Sequence, residues 1–390
     1  MRDAYFIGLM SGTSTDGVDG VLAAFAPPGN PPPAQDARNL SAPWLNDRTA
    51  ATGRLSILAA ASAPLPHSLR QELLALNAPG TNELARAALA ANALADCYAE
   101  VVRSLLSQSG LKATEIRAIG AHGQTIRHAP EAGYTLQINA PARLAEHTGI
   151  AVVADFRSRD VAAGGQGAPL VPAFHAARFG CGAGRAVLNL GGIANLTILD
   201  DPVRGFDTGP ANMLMDAWIQ HHGGQAYDRD GAWAAQGRCH PGLLSILLAE
   251  PWLALNPPKS TGRDLFSLDW LQARLATLPS DDRPDPVDVQ ATLLRLSVDT
   301  IAQAVRQHSP DTREVLACGG GALNPVFMQA LSLALPCRLT TTAEYGVPVQ
   351  SVEALAFAWL AQAHVLGRPA CLPAVTGARH ATIAGCLYPA

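Results

Sequence analysis

A polar turn between two apolar runs near the start of the chain limits the fold more than any other feature. Residues Phe6–Val21 read FIGLMSGTSTDGVDGV, so small hydroxyls, glycines and two acids, Asp16 and Asp19, separate two strand-like segments. Such a turn can surround a phosphate with N–H and O–H donors while an acid holds a cation. It lacks the Gly-Lys-Ser/Thr ending of a Walker loop and does not open into a long helix. The pattern therefore predicts a phosphate-binding β-hairpin.

The composition is typical of a globular protein with two domains. The chain has 390 residues, 48% of them apolar and 15% charged, and its net charge is −4. A dedicated nucleic-acid binder usually carries a basic excess, so we expect no nucleic-acid partner. The seven cysteines include no Cys-x-x-Cys pair, and no apolar run reaches the length of a membrane span. Strand-like residues follow Arg2 and Asp3 directly, so we expect a cytoplasmic protein without a signal peptide.

A second hairpin with a glycine turn begins the other half of the chain. Arg185–Leu190 and Ala194–Leu199 are strand candidates on either side of the glycines at 191 and 192. Two such hairpins predict an α/β protein with duplicated domains. We expect the two-lobed actin/hexokinase-like fold, which is ribonuclease H-like, with an interdomain cleft that binds nucleotide.

The two expected lobes divide the chain unequally. We expect a first lobe at residues 1–145, rejoined by about 367–390, and a second lobe at 146–366. Pro and Gly are frequent in Ala26–Leu55, which predicts an irregular surface segment.

Further motifs occur in a consistent order. They are Gly8–Asp19, Ala121–His128, Val152–Arg157, Asp160–Leu170, Gly205–Pro210, Pro258–Arg263 and Glu344–Gly346. Together they closely resemble the anhydro-N-acetylmuramic acid kinase family from the first strand to the C-terminus. The resemblance implies an ATP- and Mg²⁺-dependent kinase that phosphorylates 1,6-anhydro-N-acetylmuramic acid while water opens the anhydro ring. It also implies a homodimer and a product, N-acetylmuramic acid 6-phosphate, that is an intermediate of peptidoglycan recycling.

Two acids are candidates for catalysis. The resemblance places the catalytic aspartate of the family on Asp207, at a predicted strand end in a turn with Gly205 and Pro210. An ionised carboxylate there can accept a proton from water. The alternative is that Asp207 caps the helix predicted from about Asn212. Glu344 either orients the same water or is an ordinary loop carboxylate.

Three glycine-rich turns are candidates for binding ATP. Asp16 is expected to hold Mg²⁺ through water, and Thr15 stands where the family usually has an apolar residue. Each glycine alone is equally consistent with a plain tight turn. The expected ATP and phosphate contacts are Gly12, Thr13, Ser14, Thr15, Asp16, Gly17, Val18, Asp19, Gly191, Gly192, Asn195, Gly319, Gly320, Gly321 and Asn324.

Polar residues that follow two apolar strands are candidates for binding the sugar. They are His122, Gln124, Thr125, Arg157 and Arg159. Either arginine can bind the lactyl carboxylate of the sugar through two hydrogen bonds. The alternative for Arg157 is a structural ion pair with Asp155 or Asp160, and the alternative for His122 is an interior histidine.

The sequence is also consistent with other functions. An ATP-switched protein of the actin or chaperone type would use the same hairpins without a sugar, but it would not need the polar clusters Ala121–Thr125 and Asp155–Asp160. An ordinary hexose kinase would need them without opening a ring. Gly164-Gly165-Gln166 matches a tripeptide of translation termination factors, which are basic and bind RNA, unlike a chain of net charge −4.

Overall fold

The computed structural model describes residues 3–12, 15–26, 55–182, 184–262 and 265–390. It divides the chain into two units, of which unit 1 comprises Met1–Cys181 and Ser351–Ala390 and unit 2 comprises Gly182–Gln350. Nearly all of the predicted irregular segment Ala26–Leu55 lies outside the described residues, as do Thr13 and Ser14 of the first turn.

Strands and helices occur in groups along the described chain and are numbered in chain order. The strands are β1 (Ala4–Met10), β2 (Gly17–Phe25), β3 (Leu55–Pro64), β4 (Ile116–Ala121), β5 (Gln124–Ala129), β6 (Tyr134–Ile138), β7 (Val152–Ala154), β8 (Arg185–Leu190), β9 (Ile193–Ile198), β10 (Arg204–Pro210), β11 (Glu314–Cys318), β12 (Arg338–Thr341) and β13 (Cys386–Tyr388). The α-helices are α1 (His67–Ala75), α2 (Glu83–Ser109), α3 (Pro141–Thr148), α4 (Ser158–Ala162), α5 (Val171–Phe179), α6 (Asn212–Gly223), α7 (Pro241–Leu248), α8 (Leu268–Leu275), α9 (Pro286–His308), α10 (Pro325–Ala334), α11 (Val352–Val365) and α12 (Pro373–Thr376).

The larger sheet of unit 1 has the strand order β13-β7-β4-β1-β2-β3. Strands β1 and β2 form the predicted antiparallel hairpin, and β3 adds a third antiparallel strand that the sequence analysis did not identify. Strand β4 pairs parallel with β1, and β7 pairs parallel with β4. A separate antiparallel pair, β5 and β6, follows β4 in the chain.

The sheet of unit 2 has the order β10-β9-β8-β11-β12 and repeats this arrangement. Strands β8, β9 and β10 are successive antiparallel neighbours, β11 pairs parallel with β8, and β12 pairs parallel with β11. The five strands therefore correspond in order to β1, β2, β3, β4 and β7 of unit 1. This shared topology confirms the predicted duplicated α/β fold of the actin/hexokinase-like kind, whereas the predicted cleft stays a prediction.

Helix α11 belongs to unit 1, although the sequence analysis assigned it to the second lobe. Gly8 of β1 and Gly120 of β4 are partners in the sheet, and α11 packs directly on these strands. A Cβ on Gly8 would overlap the backbone at Ala354, and one on Gly120 would overlap the backbone at Phe357. The two glycines thus let the helix backbone approach the sheet.

The lobe boundaries of the structure consequently differ from those expected at 145/146 and 366/367. Because α11 packs on β1 and β4, and β7 pairs with β4, the division falls at 181/182 and 350/351. These contacts join residues far apart in the chain, which a local sequence pattern does not reveal.

Long helices supply much of each core. In unit 1, the 27-residue helix α2 packs against β2 and β3. In unit 2, α9 buries thirteen of its side chains and was not identified from the sequence. No helix in the described ranges has the length and hydropathy that a bilayer crossing requires.

Candidate active site

The turn between β1 and β2 holds the first group of predicted ATP contacts. Gly12 accepts two hydrogen bonds at its carbonyl oxygen, from the Thr15 amide at 3.1 Å and from Nε2 of Gln124 at 3.2 Å. Thr15 is buried with a φ of 52°, a backbone region that few β-branched residues adopt. The side chain of Val18 is fully buried in the core, so only its backbone is placed to meet a ligand.

Two acids flank the same turn. The side chains of Asp16 and Asp19 are exposed. Loss of hydration raises the pKa of Asp19, and the nearby Asp16 carboxylate raises it further, while a hydrogen bond from Ser62 opposes both. Exposed carboxylate oxygens are the donors that Mg²⁺ prefers, so Asp16 fits its predicted role. The described residues include no group of three acids, histidines or cysteines arranged to hold a metal.

His122 lies buried at the start of the turn between β4 and β5. Its Nε2 atom is 2.9 Å from Nη2 and 3.2 Å from Nε of Arg157. Burial and the Arg157 charge lower the pKa of His122 to about 3, so the ring is neutral at physiological pH. A guanidinium offers only donors, so Nε2 accepts and the ring proton lies on Nδ1.

Arg157 is committed to internal contacts. Besides meeting His122, its Nη1 donates to the carbonyl oxygen of Gly167 at 2.8 Å. The Asp155 carboxylate instead accepts from Ser158 at 2.5 Å, and Asp160 accepts from the Gly167 amide at 2.7 Å. Neither acid forms the direct ion pair considered for Arg157. Burial lowers the pKa of Arg157 to about 10, which keeps it charged at neutral pH.

The other sugar candidates differ in exposure. Gln124 is buried, and Thr125 accepts a hydrogen bond from Nε2 of Gln137 at 3.2 Å. Arg159 is exposed, and the described residues provide no hydrogen bond or ion pair to its guanidinium. Of the two arginines, only Arg159 therefore presents its charged group to solvent.

Asp207 lies inside strand β10, whereas the sequence analysis expected it in a turn at a strand end. One carboxylate oxygen, Oδ1, accepts from Nδ2 of Asn195 at 2.9 Å, and the other, Oδ2, accepts from the Thr261 amide at 2.9 Å. Helix α6 begins at Asn212 without a side-chain cap, so Asp207 does not cap it.

Electrostatic effects of opposite sign act on Asp207. Burial raises its pKa, while the bonds from Asn195 and Thr261 and the charge of Lys259 lower it. Lys259 donates from Nζ to the carbonyl oxygen of Leu253 at 2.9 Å and lies 4.5 Å from the ring centroid of Trp252. Its own carbonyl oxygen accepts from the Asp207 amide at 3.0 Å.

Segment 259–261 therefore holds Asp207 in place through hydrogen bonds to its amide and its carboxylate. The sequence analysis did not identify this role of the segment. The motif Pro258–Arg263 was visible there, but nothing local in it indicated a contact with Asp207, more than fifty residues earlier. The resemblance described above spans both motifs, but it does not indicate that they contact each other.

The second hairpin meets the start of helix α6. The Gly191 carbonyl oxygen accepts from the Asn212 amide at 3.1 Å, and that of Gly192 accepts from the Ala211 amide at 2.9 Å. Asn195 was predicted to contact phosphate, but its side-chain amide is directed to Asp207. The structure thus brings Asn195 to the candidate base.

The third glycine turn follows β11. A Cβ on Gly319 would overlap Oδ1 of Asn189, and one on Gly321 would crowd Leu190, whereas Gly320 has open space beside it. Asn324 accepts from the Phe327 amide at 3.0 Å and caps helix α10. Gly320 is therefore the residue of this turn where a ligand has most room.

Glu344 is not brought to Asp207. It follows β12, at the opposite edge of the sheet from β10, and four strand spacings amount to about 19 Å. Its carboxylate accepts from Nη2 of Arg338 at 2.8 Å and is exposed. These contacts favour the alternative that Glu344 is an ordinary loop carboxylate.

The family model and the most similar relatives in sequence agree on one family. The model of the family described as anhydro-N-acetylmuramic acid kinase matches residues 45–390. The anhydro-N-acetylmuramic acid kinase of Bordetella parapertussis is 59% identical over 99% of this chain and 96% of its own length. That of Variovorax paradoxus is 50% identical over the full length of both. Component A of (R)-2-hydroxyglutaryl-CoA dehydratase from Acidaminococcus fermentans, a solved structure, has a TM-score of 0.46, 12% identity, and coverage of 91% and 96% of the two chains. This chain belongs to the anhydro-N-acetylmuramic acid kinase family.

Proposed function

We propose that this chain uses ATP to phosphorylate O6 of 1,6-anhydro-N-acetylmuramic acid while water opens the anhydro ring. The products are N-acetylmuramic acid 6-phosphate and ADP, and the reaction belongs to peptidoglycan recycling. Membership of the family supports the substrate and the reaction. The observation that carries the mechanism is the carboxylate of Asp207, held at both oxygens by Asn195 and Thr261.

Asp207 is proposed as the base in a reaction that couples two displacements, one at C1 of the sugar and one at the γ-phosphorus. Water bonds to C1 of the sugar as Asp207 accepts its proton, and the C1–O6 bond breaks with its electron pair moving to O6. The O6 atom bonds to the γ-phosphorus, and the bond to the bridging oxygen breaks to release ADP. No separate acid is needed for the leaving oxygen, because the phosphoryl group takes its electron pair.

The surroundings of Asp207 suit a base. Each carboxylate oxygen accepts one hydrogen bond, which leaves lone pairs for a water molecule. Burial raises the pKa of the carboxyl group and makes it a stronger base, while Lys259 favours the ionised form. Asp207 as a whole residue is half-buried rather than sealed from solvent.

The glycine-rich turns are proposed to bind ATP. The β1–β2 turn, Gly191-Gly192 and the turn around Gly320 offer backbone donors for phosphate oxygens. The exposed carboxylate of Asp16 is proposed to hold Mg²⁺ through water, and the ion would neutralise phosphate charge when bound.

The sugar is proposed to meet the β4–β5 turn and the segment after β7. The exposed guanidinium of Arg159 is the preferred partner for the lactyl carboxylate, because Arg157 is occupied by His122 and Gly167. Burial lowers the pKa of His122, and the charge of Arg157 acts in the same direction, so both favour its neutral form.

A cytoplasmic homodimer is the proposed working form. All seven cysteines are free thiols, which is typical of a reducing compartment. Cell fractionation tests the location, and light scattering of the purified protein tests whether its mass is twice that of one chain.

Product analysis in ¹⁸O-labelled water tests the proposed reaction. The protein is incubated with ATP, Mg²⁺ and 1,6-anhydro-N-acetylmuramic acid, and the products are identified by mass spectrometry. We expect ADP and a sugar phosphate that carries one solvent oxygen at C1. Unlabelled N-acetylmuramic acid 6-phosphate in the same water controls for exchange at C1. Phosphorylation without ring opening, or equal turnover of glucose, would instead favour an ordinary hexose kinase.

A further inference from the structure

Tyr98 connects two turns from the middle of helix α2. The side chain is fully buried, and its hydroxyl oxygen accepts a hydrogen bond from the Gly123 amide at 3.1 Å. The same hydroxyl is 3.1 Å from Oγ of Ser11, which donates to the Gly123 carbonyl oxygen at 2.9 Å. Ser11 opens the β1–β2 turn and Gly123 lies in the β4–β5 turn, so three groups close a ring of hydrogen bonds.

The direction of each bond in this ring is determined. The one hydroxyl proton of Ser11 is directed to the Gly123 carbonyl, so Tyr98 must donate to Ser11. Burial raises the pKa of Tyr98 far above its ordinary value, so the phenol keeps this proton. Buried hydrogen bonds that form a chain strengthen one another, and removal of one member leaves its partners unsatisfied.

Two other bonds join the same turns. Nε2 of Gln124 donates to the Gly12 carbonyl oxygen at 3.2 Å, and the His122 amide donates to the Leu9 carbonyl oxygen at 3.1 Å. The turn predicted to bind phosphate and the turn predicted to bind the sugar are therefore fixed to each other at several atoms. Of these connections, the ring alone includes a residue from helix α2, namely Tyr98.

We propose that Tyr98 is a positioning residue that joins the phosphate-binding turn to the sugar-binding turn, so that each substrate strengthens the binding of the other. This role rests on the proposed function of the two turns. Tyr98 acts through Ser11 and Gly123 and touches neither substrate. Its aromatic ring fills the core as a phenylalanine would, and the hydroxyl is what couples the turns.

Calorimetric titration of a Tyr98→Phe variant tests the coupling. The Kd of the Mg²⁺ complex of a non-hydrolysable ATP analogue, AMP-PNP, is measured without sugar and with saturating 1,6-anhydro-N-acetylmuramic acid. The ratio of the two values is the coupling factor. We expect a factor clearly above one in the parent protein and a loss of about fivefold in the variant. An unchanged factor in the variant, or a factor of one in a parent protein that binds the sugar, would overturn the proposal.

Two further variants separate coupling from general damage. Tyr134→Phe removes the hydroxyl of an exposed tyrosine on β6, and its coupling factor should equal that of the parent. Ser11→Ala breaks the same ring from the other side and replaces Tyr98→Phe if that variant does not fold. The double variant Ser11→Ala/Tyr98→Phe should lose no more of the coupling factor than either single variant, because both substitutions break the same ring. Losses of the coupling factor that multiply would contradict a shared ring.

The titration also separates a failure of this proposal from a failure of the proposed function. If the parent protein binds no anhydro-sugar, the proposed substrate is wrong. The affinity for Mg²⁺–AMP-PNP alone then decides the role of the ring: Tyr98→Phe must weaken it at least threefold relative to Tyr134→Phe, and equal affinities would overturn the proposal.

Discussion

Nδ2 of Asn195 donates to Oδ1 of Asp207 at 2.9 Å, and the two residues are partners across β9 and β10. A bond between paired strands holds the carboxylate without a flexible loop. The Thr261 amide donates to the other oxygen, so both oxygens of the carboxylate have fixed donors. This arrangement orients the carboxylate before any substrate binds, which is the condition for an effective base.

Replacement of Asp207 by asparagine removes the proposed base while keeping the size of the side chain. We expect kcat to fall about 10²–10⁴-fold, because an amide accepts no proton from water. The Kd for Mg²⁺–AMP-PNP should stay within about twofold of the parent value, since a glycine-rich turn rather than Asp207 is proposed to hold phosphate. Steady-state kinetics and calorimetry measure the two quantities. Asp281→Asn, at an exposed position of unit 2, is the matched control, and near-normal kcat in Asp207→Asn would exclude the assignment.

Lys259 should shift the pH dependence of the reaction. Burial raises the pKa of Asp207 above its ordinary value of 3.8, and the Lys259 charge lowers it. A base must be ionised, so kcat/KM should fall as pH decreases through the pKa of Asp207. Lys259→Met removes the positive charge, which raises that pKa and moves the acid limb to higher pH by about one unit.

A pH profile of kcat/KM for Lys259→Met measures this shift. Lys112→Met, at an exposed lysine of unit 1, is the control and should leave the limb in place. A limb at the same pH in Lys259→Met and the parent would show that the charge of Lys259 does not act on the base.

The two hairpins were predictable from sequence because their signals are local. Glycines and small hydroxyls between apolar strands identify such turns over a few residues, and both hairpins occur where expected. The position of Asp207 was wrong for a related reason: Gly205 and Pro210 favoured a turn, yet all three residues lie in β10. This strand is at the edge of its sheet, where proline is tolerated because its missing N–H has no partner to lose.

Contacts between distant parts of the chain were not predictable in this way. The support that Lys259 and Thr261 give to Asp207, and the packing of α11 on β1, depend on tertiary structure. Conversely, Glu344 was a candidate to orient the same water as Asp207, and the strand order of the sheet separates the two residues. Residue type and motif order indicated the chemistry, but only the strand order determines which candidate residues can act together.

Gly8 should be intolerant of any side chain. A Cβ there would overlap the backbone of α11 at Ala354, and a helix backbone cannot move aside as a side chain can. We expect Gly8→Ala to lower the free energy of unfolding by about 1–3 kcal/mol, as overpacking does. Urea denaturation measures the change. Gly223→Ala, in helix α6 where an added Cβ makes only ordinary contact with Ile219, is the control and should be neutral or slightly stabilising; equal effects would show that α11 adjusts to the added methyl group.

Replacement of Arg159 should change the KM for the sugar more than the KM for ATP. Its exposed guanidinium can pair with the lactyl carboxylate, so Arg159→Ala should raise KM for the anhydro-sugar about tenfold, the scale of one charged hydrogen bond. The KM for ATP should change less than about twofold, because the arginine is not proposed to contact phosphate. Arg117→Ala, an exposed arginine on β4, is the control and should change neither value. An equal rise in both KM values for Arg159→Ala would mean that this arginine supports the fold or the phosphates rather than the sugar carboxylate, and the lactyl group would then need another partner.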